Sequence, residues 1–413
     1  MIRRMLRIEL RHGSAPLAAL ATAVALTWVL VANPAQWVGQ WGGLAVYLRM
    51  CLLVLCPLFL AAGAWQVGRD RRARTVELLG TVPRPAWHPM LAGWAAVTLG
   101  GLAGLSLPLL VAAAMTARLA TYAGPGWWGP LPVVPIGLAA ASALGVLIGR
   151  RFPGRVTAPV AGLALYVGLA LPAYFPDSRW AVLSPVTDEF RSYVLWPASF
   201  HVWQAAWLGL VAATFLLLAT RRWWAAVAPA ALAGVLLVAA PPDQPAADPG
   251  ALELVCTERA PQVCVTRINE FLLADVDAVL RPGLERLAGI PGTPVRAVEE
   301  TVRRTGEYRP DIAWFSLNDQ ARLTGGVDRR DWLETTFRSS LGDNDCPPPP
   351  DSVGDPTLDP VWRTELAADL WMEGDPPPEL TALPEERQRE WIGRVFAASR
   401  TCDRAELGRL ALS

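Results

Sequence analysis

The side chains able to do chemistry are few and unevenly placed. Histidine occurs only at His12, His88 and His201, and lysine does not occur at all. A chain without lysine cannot build a Walker A phosphate loop or form a lysine Schiff base. No HExxH zinc helix and no GxSxG nucleophile turn can be written from this sequence. No histidine follows His201, so a Ser-His or Cys-His couple cannot be completed in the C-terminal half. Carboxylate pairs stand at Asp275/Asp277, Glu299/Glu300 and Glu385/Glu386. Immediate neighbours on a helix do not face one another, so these read as solvated acids. Asp343-Asn344-Asp345 resembles the start of a calcium loop, but the glycine and distal glutamate that such a loop needs are missing. The expectation is a protein that is not an enzyme, with no catalytic residue, no metal and no cofactor.

Cysteine chemistry is the clearer signal. Cys51 and Cys56 lie in an apolar run and read as buried thiols. Cys256, Cys264, Cys346 and Cys402 lie in a polar stretch and suggest two disulfides. The spacings leave three pairings open; Cys256–Cys264 as a local clasp with Cys346–Cys402 as a long closure is preferred. A four-cysteine zinc site wants paired C-x₂₋₄-C knuckles, and the intervening stretches of 7, 81 and 55 residues lack them.

The elements that carry these residues divide the chain into two physically different halves. All 37 basic residues among the 413 are arginine. Residues 1–240 hold 18 of them against 6 acids, and residues 241–413 hold 19 against 31. The basic half is apolar, with long runs at 15–32, 46–67, 89–115, 131–149, 156–174, 202–219 and 223–240. A bilayer core of about 30 Å takes roughly 20 such residues per helix, so seven spans are expected. The first run is longer than a signal-peptide core and leads into a second, which favours a retained helix.

Orientation follows from the arginines. With the N terminus inside, 14 of the 18 fall on the cytoplasmic side: Arg3, Arg4, Arg7 and Arg11, then Arg69, Arg71, Arg72, Arg74 and Arg84, then Arg150, Arg151 and Arg155, then Arg221 and Arg222. An odd number of spans places the acidic half outside. Arg49, at the outer start of the second span, reads as an arginine snorkelling to the surface, the alternative being a charge in a substrate path. Prolines 57, 108, 159, 172 and 229 mark kinks rather than chemistry.

A Pro/Asp-rich linker, residues 241–250, joins the halves. The domain 251–413 then reads as α+β. Apolar spacing from Ile268 to Leu287 is helical, and Gly289 can cap that helix. Residues 294–298 and 312–317 suit strands, and 359–372 and 384–399 suit helices, the last opening on Pro384 with Glu385 and Glu386 in its first turn.

The segment after the second span reads Gly68-Arg69-Asp70-Arg71-Arg72-Ala73-Arg74-Thr75-Val76-Glu77-Leu78-Leu79-Gly80-Thr81-Val82-Pro83-Arg84. It resembles the cytoplasmic coupling loop of type-2 ATP-binding-cassette (ABC) exporter permeases, through Arg69, Thr75, Glu77, Leu78, Leu79, Pro83 and Arg84. Asp70 stands where that family has Glu, and Arg74 where it has Gly. The resemblance covers roughly residues 1–220; the family core has six spans, so a seventh span and an outer domain are additions. The outer half is similar to the tail of actinobacterial permease-like membrane proteins, through Cys256, Pro261, Val263-Cys264-Val265, the turn 287–292, Leu383-Pro384 and Glu386-Arg387.

The resemblance implies a multi-pass cell-membrane permease subunit of an ABC exporter. Its partners would be a separate ABC ATPase subunit, the lipid bilayer and a second permease in a homodimer or heterodimer, with no nucleic acid. Arg69, Asp70, Arg74, Thr75, Glu77, Leu78, Leu79, Pro83 and Arg84 would form the ATPase-coupling loop. The alternative is a non-transporting membrane protein that binds or senses through its outer domain. A membrane aminopeptidase built on similar spans is set aside by the missing HExxH. Topology is directly testable: reporter fusions at Arg72 and at Ala246 are expected to report opposite sides of the membrane, and same-side signals would refute the orientation.

Overall fold

The computed structural model describes residues 2–72, 87–171, 183–186, 191–220, 223–239, 245–303, 309, 311–317 and 359–412. The chain separates into two compact units, Met1–Asp248 and Pro249–Ser413.

The first unit is helical. Its elements are α1 (Ile2–His12), α2 (Ala15–Ala32), α3 (Trp41–Arg72), α4 (Trp87–Leu119), α5 (Val133–Arg151), α6 (Thr157–Ala170), α7 (Ala198–Ala219) and α8 (Val227–Val238), with short strands β1 (Val194–Leu195) and β2 (Ala246–Ala247). Among the described residues five helices, α2, α3, α4, α5 and α7, are long and apolar enough to cross a bilayer. This is the pattern of a polytopic membrane protein. The fifth and seventh expected spans appear as shorter apolar helices, Thr157–Ala170 and Trp223–Val238. Leu17, Leu20, Val24, Trp28 and Val31 of α2 are exposed, as a lipid-facing stripe requires.

α1 was not anticipated as an element. Met5, Leu6, Glu9 and Leu10 fall on its half-buried face and Arg7 and Arg11 on the exposed one. Glu9 sits in the apolar stripe because it has a partner: the buried Gln66 donates from Nε2 to Glu9 Oε2 at 2.8 Å, and Ser14 Oγ donates to Gln66 Oε1 at 2.5 Å.

Small residues set the helix packing. α3 runs along α5, and α2 along α4. Gly145 and Gly149 lie one turn apart on α5, and a side chain at either would strike the backbone of α3, at the carbonyls of Leu60 and Ala64. Gly100 and Gly104 meet α2 in the same way, at the carbonyls of Ala15 and Ala19. Two helices in lipid gain little from burying apolar surface, so close backbone approach through small-xxx-small faces supplies the attraction. Over the same α3–α5 seam lies a layer of leucines and aromatics, including Leu52, Leu55, Phe59 and Leu138.

The second unit is α+β. A four-stranded sheet has the order β3 (Leu254–Cys256), β4 (Gln262–Thr266), β5 (Arg296–Glu299), β6 (Ile312–Phe315). The first pair is antiparallel and the rest are parallel. β4 and β5 are joined by a 3-10 turn (Arg267–Leu272) and α9 (Leu273–Leu287), the crossover that a parallel pair demands. Helices α10 (Pro360–Glu373), α11 (Pro378–Thr381), α12 (Glu385–Arg400) and α13 (Arg404–Arg409) complete the unit. Val263, Val265, Leu280, Leu284, Phe315, Ile392 and Phe396 form its core. The strands expected at 294–298 and 312–317 and the helices expected at 359–372 and 384–399 fall within a residue or two of those observed. The helix expected from Ile268 begins later, at Leu273, after the 3-10 turn, and Gly289 follows it with φ +80°.

Cys256 and Cys264 face each other across β3 and β4 and are disulfide-bonded, as the local clasp required. Cys402 is also disulfide-bonded; its expected partner Cys346 lies outside the described residues, as does Asp343-Asn344-Asp345. Cys51 and Cys56 are free and buried.

The packing argument predicts a paired result. Gly145→Val is expected to lower stability by about 1–3 kcal/mol, the usual range for overpacking. Gly168→Val is expected to be silent, because nothing lies within 4 Å of the added carbon. Thermal unfolding in detergent, followed by tryptophan fluorescence, compares the two.

Candidate functional site

Arg49 lies in the third turn of α3, and its side chain does not reach the surface: the residue is 3% exposed. The surface-snorkelling reading is therefore replaced by an arginine held inside the helical unit. One donor is accounted for, Nε to the Pro185 carbonyl at 3.1 Å. A guanidinium has five donors and no acceptor. Among the described residues no carboxylate comes within ion-pair distance of it, and Glu9 and Asp248 are engaged elsewhere. Glu9 accepts from Gln66, and Asp248 accepts from Tyr122 Oη at 2.8 Å.

Arg49 lines a small cavity, ≈ 20 Å³, together with Val46 of α3, Trp127 and Pro130 of the α4–α5 connection, Trp196, and His201 of α7. By general criteria a space of about this size admits a water or the polar end of a larger molecule. His201 is 5% exposed, and its Nδ1 is buried without a hydrogen-bond partner. An unsatisfied buried nitrogen is unfavourable by roughly 1–3 kcal/mol unless something occupies the space it faces.

The local sequence explains how the site closes. The loop Gly124–Pro130 approaches the imidazole edge-on at Gly129, where an added Cβ would lie 2.6 Å from His201 Cδ2. Trp41 and Trp127 meet with ring centroids 4.8 Å apart, and Trp196 stacks on Phe200 at 4.2 Å. Phe200 in turn meets the His201 ring edge-on at 5.7 Å. On the chain's return, β2 pairs with β1 in antiparallel register, Val194 with Ala247 and Leu195 with Ala246. Asp248 fixes this ladder by donating its N–H to the Tyr193 carbonyl at 2.8 Å.

The site expected from sequence lies elsewhere. Arg69 and Asp70 fall in the range of α3, Trp41–Arg72, while Arg74, Thr75, Glu77, Leu78, Leu79, Pro83 and Arg84 lie outside the described residues. Among described residues the carboxylate pairs of the second unit do not converge. Glu299 is buried and accepts from Thr266 N and Oγ1, Asn269 Nδ2 and Thr301 Oγ1 at 2.7–2.8 Å, whereas Glu300 is exposed. Asp277 is bound to Arg281, and that hydrogen bond holds the guanidinium above its ordinary range. Glu385 and Glu386 are both exposed. His201 and the Trp127–Pro130 loop were not singled out in the sequence; a lone histidine at the start of an apolar run was the available signal. No family profile, curated protein or solved structure matches the chain.

Replacing a buried charge by an apolar side chain of similar length is often neutral or stabilising when the charge serves no structural purpose. Arg49→Met is therefore expected to unfold at or above the wild-type temperature in detergent. A fall of several degrees would instead make the guanidinium a structural anchor for Pro185.

Proposed function

We propose that the chain is the membrane-spanning permease subunit of an ABC-type exporter driven by a separately encoded ATPase. The observation that carries this reading is the buried Arg49, lining a cavity between helices with no carboxylate partner among the described residues. An ionisable side chain facing the interior of a membrane bundle is by default part of a ligand path, because solvating it there is otherwise unfavourable. The resemblance of residues 68–84 to a coupling loop adds the source of energy, an ATPase partner docking at Arg69, Thr75, Glu77, Leu78, Leu79, Pro83 and Arg84.

In this proposal the permease has seven spans, with its N terminus cytoplasmic and its second unit extracytoplasmic. α6, with 14 residues, is about 21 Å long at 1.5 Å per residue. It would cross only with the flanking segment or with local thinning of the bilayer. A second permease, identical or related, would complete the path, and neither metal nor cofactor takes part.

The second unit supports one other reading. It has a hydrophobic core of its own and a disulfide across its edge hairpin, as a membrane-anchored binding or sensing domain would.

Co-purification separates the two. An ABC ATPase encoded beside this chain is expected to be recovered with wild-type protein in detergent. Recovery should fall with Glu77→Gln while membrane insertion is unchanged. No ATPase recovered with wild type would favour the binding or sensing reading.

A further inference from the structure

We propose that the Arg49–His201 cavity binds the oxyanion of a ligand, a phosphate or carboxylate group, as the charged end of the transported molecule. The proposal rests on the permease reading and adds the substrate class to it.

Charge is the first argument. Arg49 is always cationic at physiological pH, it is buried, and its one hydrogen bond uses the Nε donor. The two Nη groups keep the planar fork that matches two oxygens of a phosphate or carboxylate side by side. Glu9 and Asp248 do not neutralise it: Glu9 is held by Gln66, and Asp248 by Tyr122. Among the described residues no carboxylate supplies the counter-charge, and a bound anion would.

The second argument is independent of the arginine. His201, from a different helix, lines the same cavity with a buried and unpartnered Nδ1. In the tautomer protonated at Nδ1 this nitrogen is a donor. An oxyanion within reach of both side chains would satisfy that donor.

Size and surroundings narrow the ligand further. The space is small, ≈ 20 Å³, and takes the oxygen end of a molecule rather than a whole drug-sized one. Trp127 and Trp196 stand in its wall, Trp127 tilted against Trp41 and Trp196 stacked on Phe200. Amphipathic indoles tolerate both a polar head and an apolar chain. The oxyanion can therefore belong to a free small anion or to the head group of an anionic lipid, and the experiment distinguishes these sources.

The test is calorimetric titration of the full chain in an uncharged detergent, with variants confirmed to keep the wild-type unfolding temperature to within a few degrees. The probes are inorganic phosphate, dihexanoyl phosphatidic acid and dihexanoyl phosphatidylcholine. At least one anionic probe is expected to bind wild type, and at least tenfold more tightly than the phosphatidylcholine. Arg49→Gln is expected to weaken that binding at least tenfold, Arg49→Lys less, and Arg118→Gln, at an exposed site, not at all. His201→Asn is expected to weaken it severalfold; if Arg49→Gln does not fold, this variant and Arg49→Lys carry the comparison. Phosphate binding assigns a free anion, and binding of phosphatidic acid without phosphate assigns a lipid head group; either supports the site.

Binding by neither anion overturns the proposal, as does equal binding of the phosphatidylcholine or equal binding by Arg49→Gln. The permease reading fails separately. Anion binding without ATPase co-purification would leave the site standing and remove the exporter. ATPase co-purification without anion binding would do the reverse.

Discussion

Close approach between helix backbones is the constraint on which the first unit depends. Gly145 and Gly149 let α5 lie on α3, and Gly100 and Gly104 let α4 lie on α2. In water such contacts would be incidental to burial of larger side chains; in lipid they are the main source of specificity. Arg49 is carried on the N-terminal part of α3, where the described residues offer its side chain a carbonyl and a cavity.

The same logic accounts for the polar residues that the bundle does bury. Gln66 is 5% exposed, yet both ends of its amide are matched, by Ser14 and Glu9. Thr98 and Ser142 pair across α4 and α5 at 2.8 Å. These groups are self-sufficient and hold helices together. Arg49 and His201 are the contrasting case, since each keeps capacity that no described neighbour uses. Polar groups of similar burial thus divide by satisfaction: the matched ones hold helices together, and Arg49 and His201 keep donor or acceptor capacity at one cavity.

Much of the architecture was legible in the residues. The apolar runs, the division into a basic and an acidic half and the Cys256–Cys264 clasp follow from composition and spacing, because hydropathy and covalent pairing are local properties. The strands near 296–299 and 312–315 were legible for the same reason. α1 was missed because Glu9 interrupts its apolar stripe, and its partner Gln66 is 57 residues away. The Arg49 site was only half legible. A charge in an apolar run is visible, but its surroundings come from Trp127 in the α4–α5 connection and from Trp196 and His201 where β1 runs into α7. No periodicity within one helix encodes that meeting.

The short ladder between β1 and β2 has a mechanical meaning. Val194 and Leu195 are at once wall residues of the cavity and the partners of Ala247 and Ala246. Asp248, the last residue of the membrane unit, is bolted to the same loop through Tyr193 and to the α4–α5 connection through Tyr122. The last residues of the first unit are therefore a paired strand tied at two points, not a slack thread, and they share the residues Val194 and Leu195 with the cavity wall.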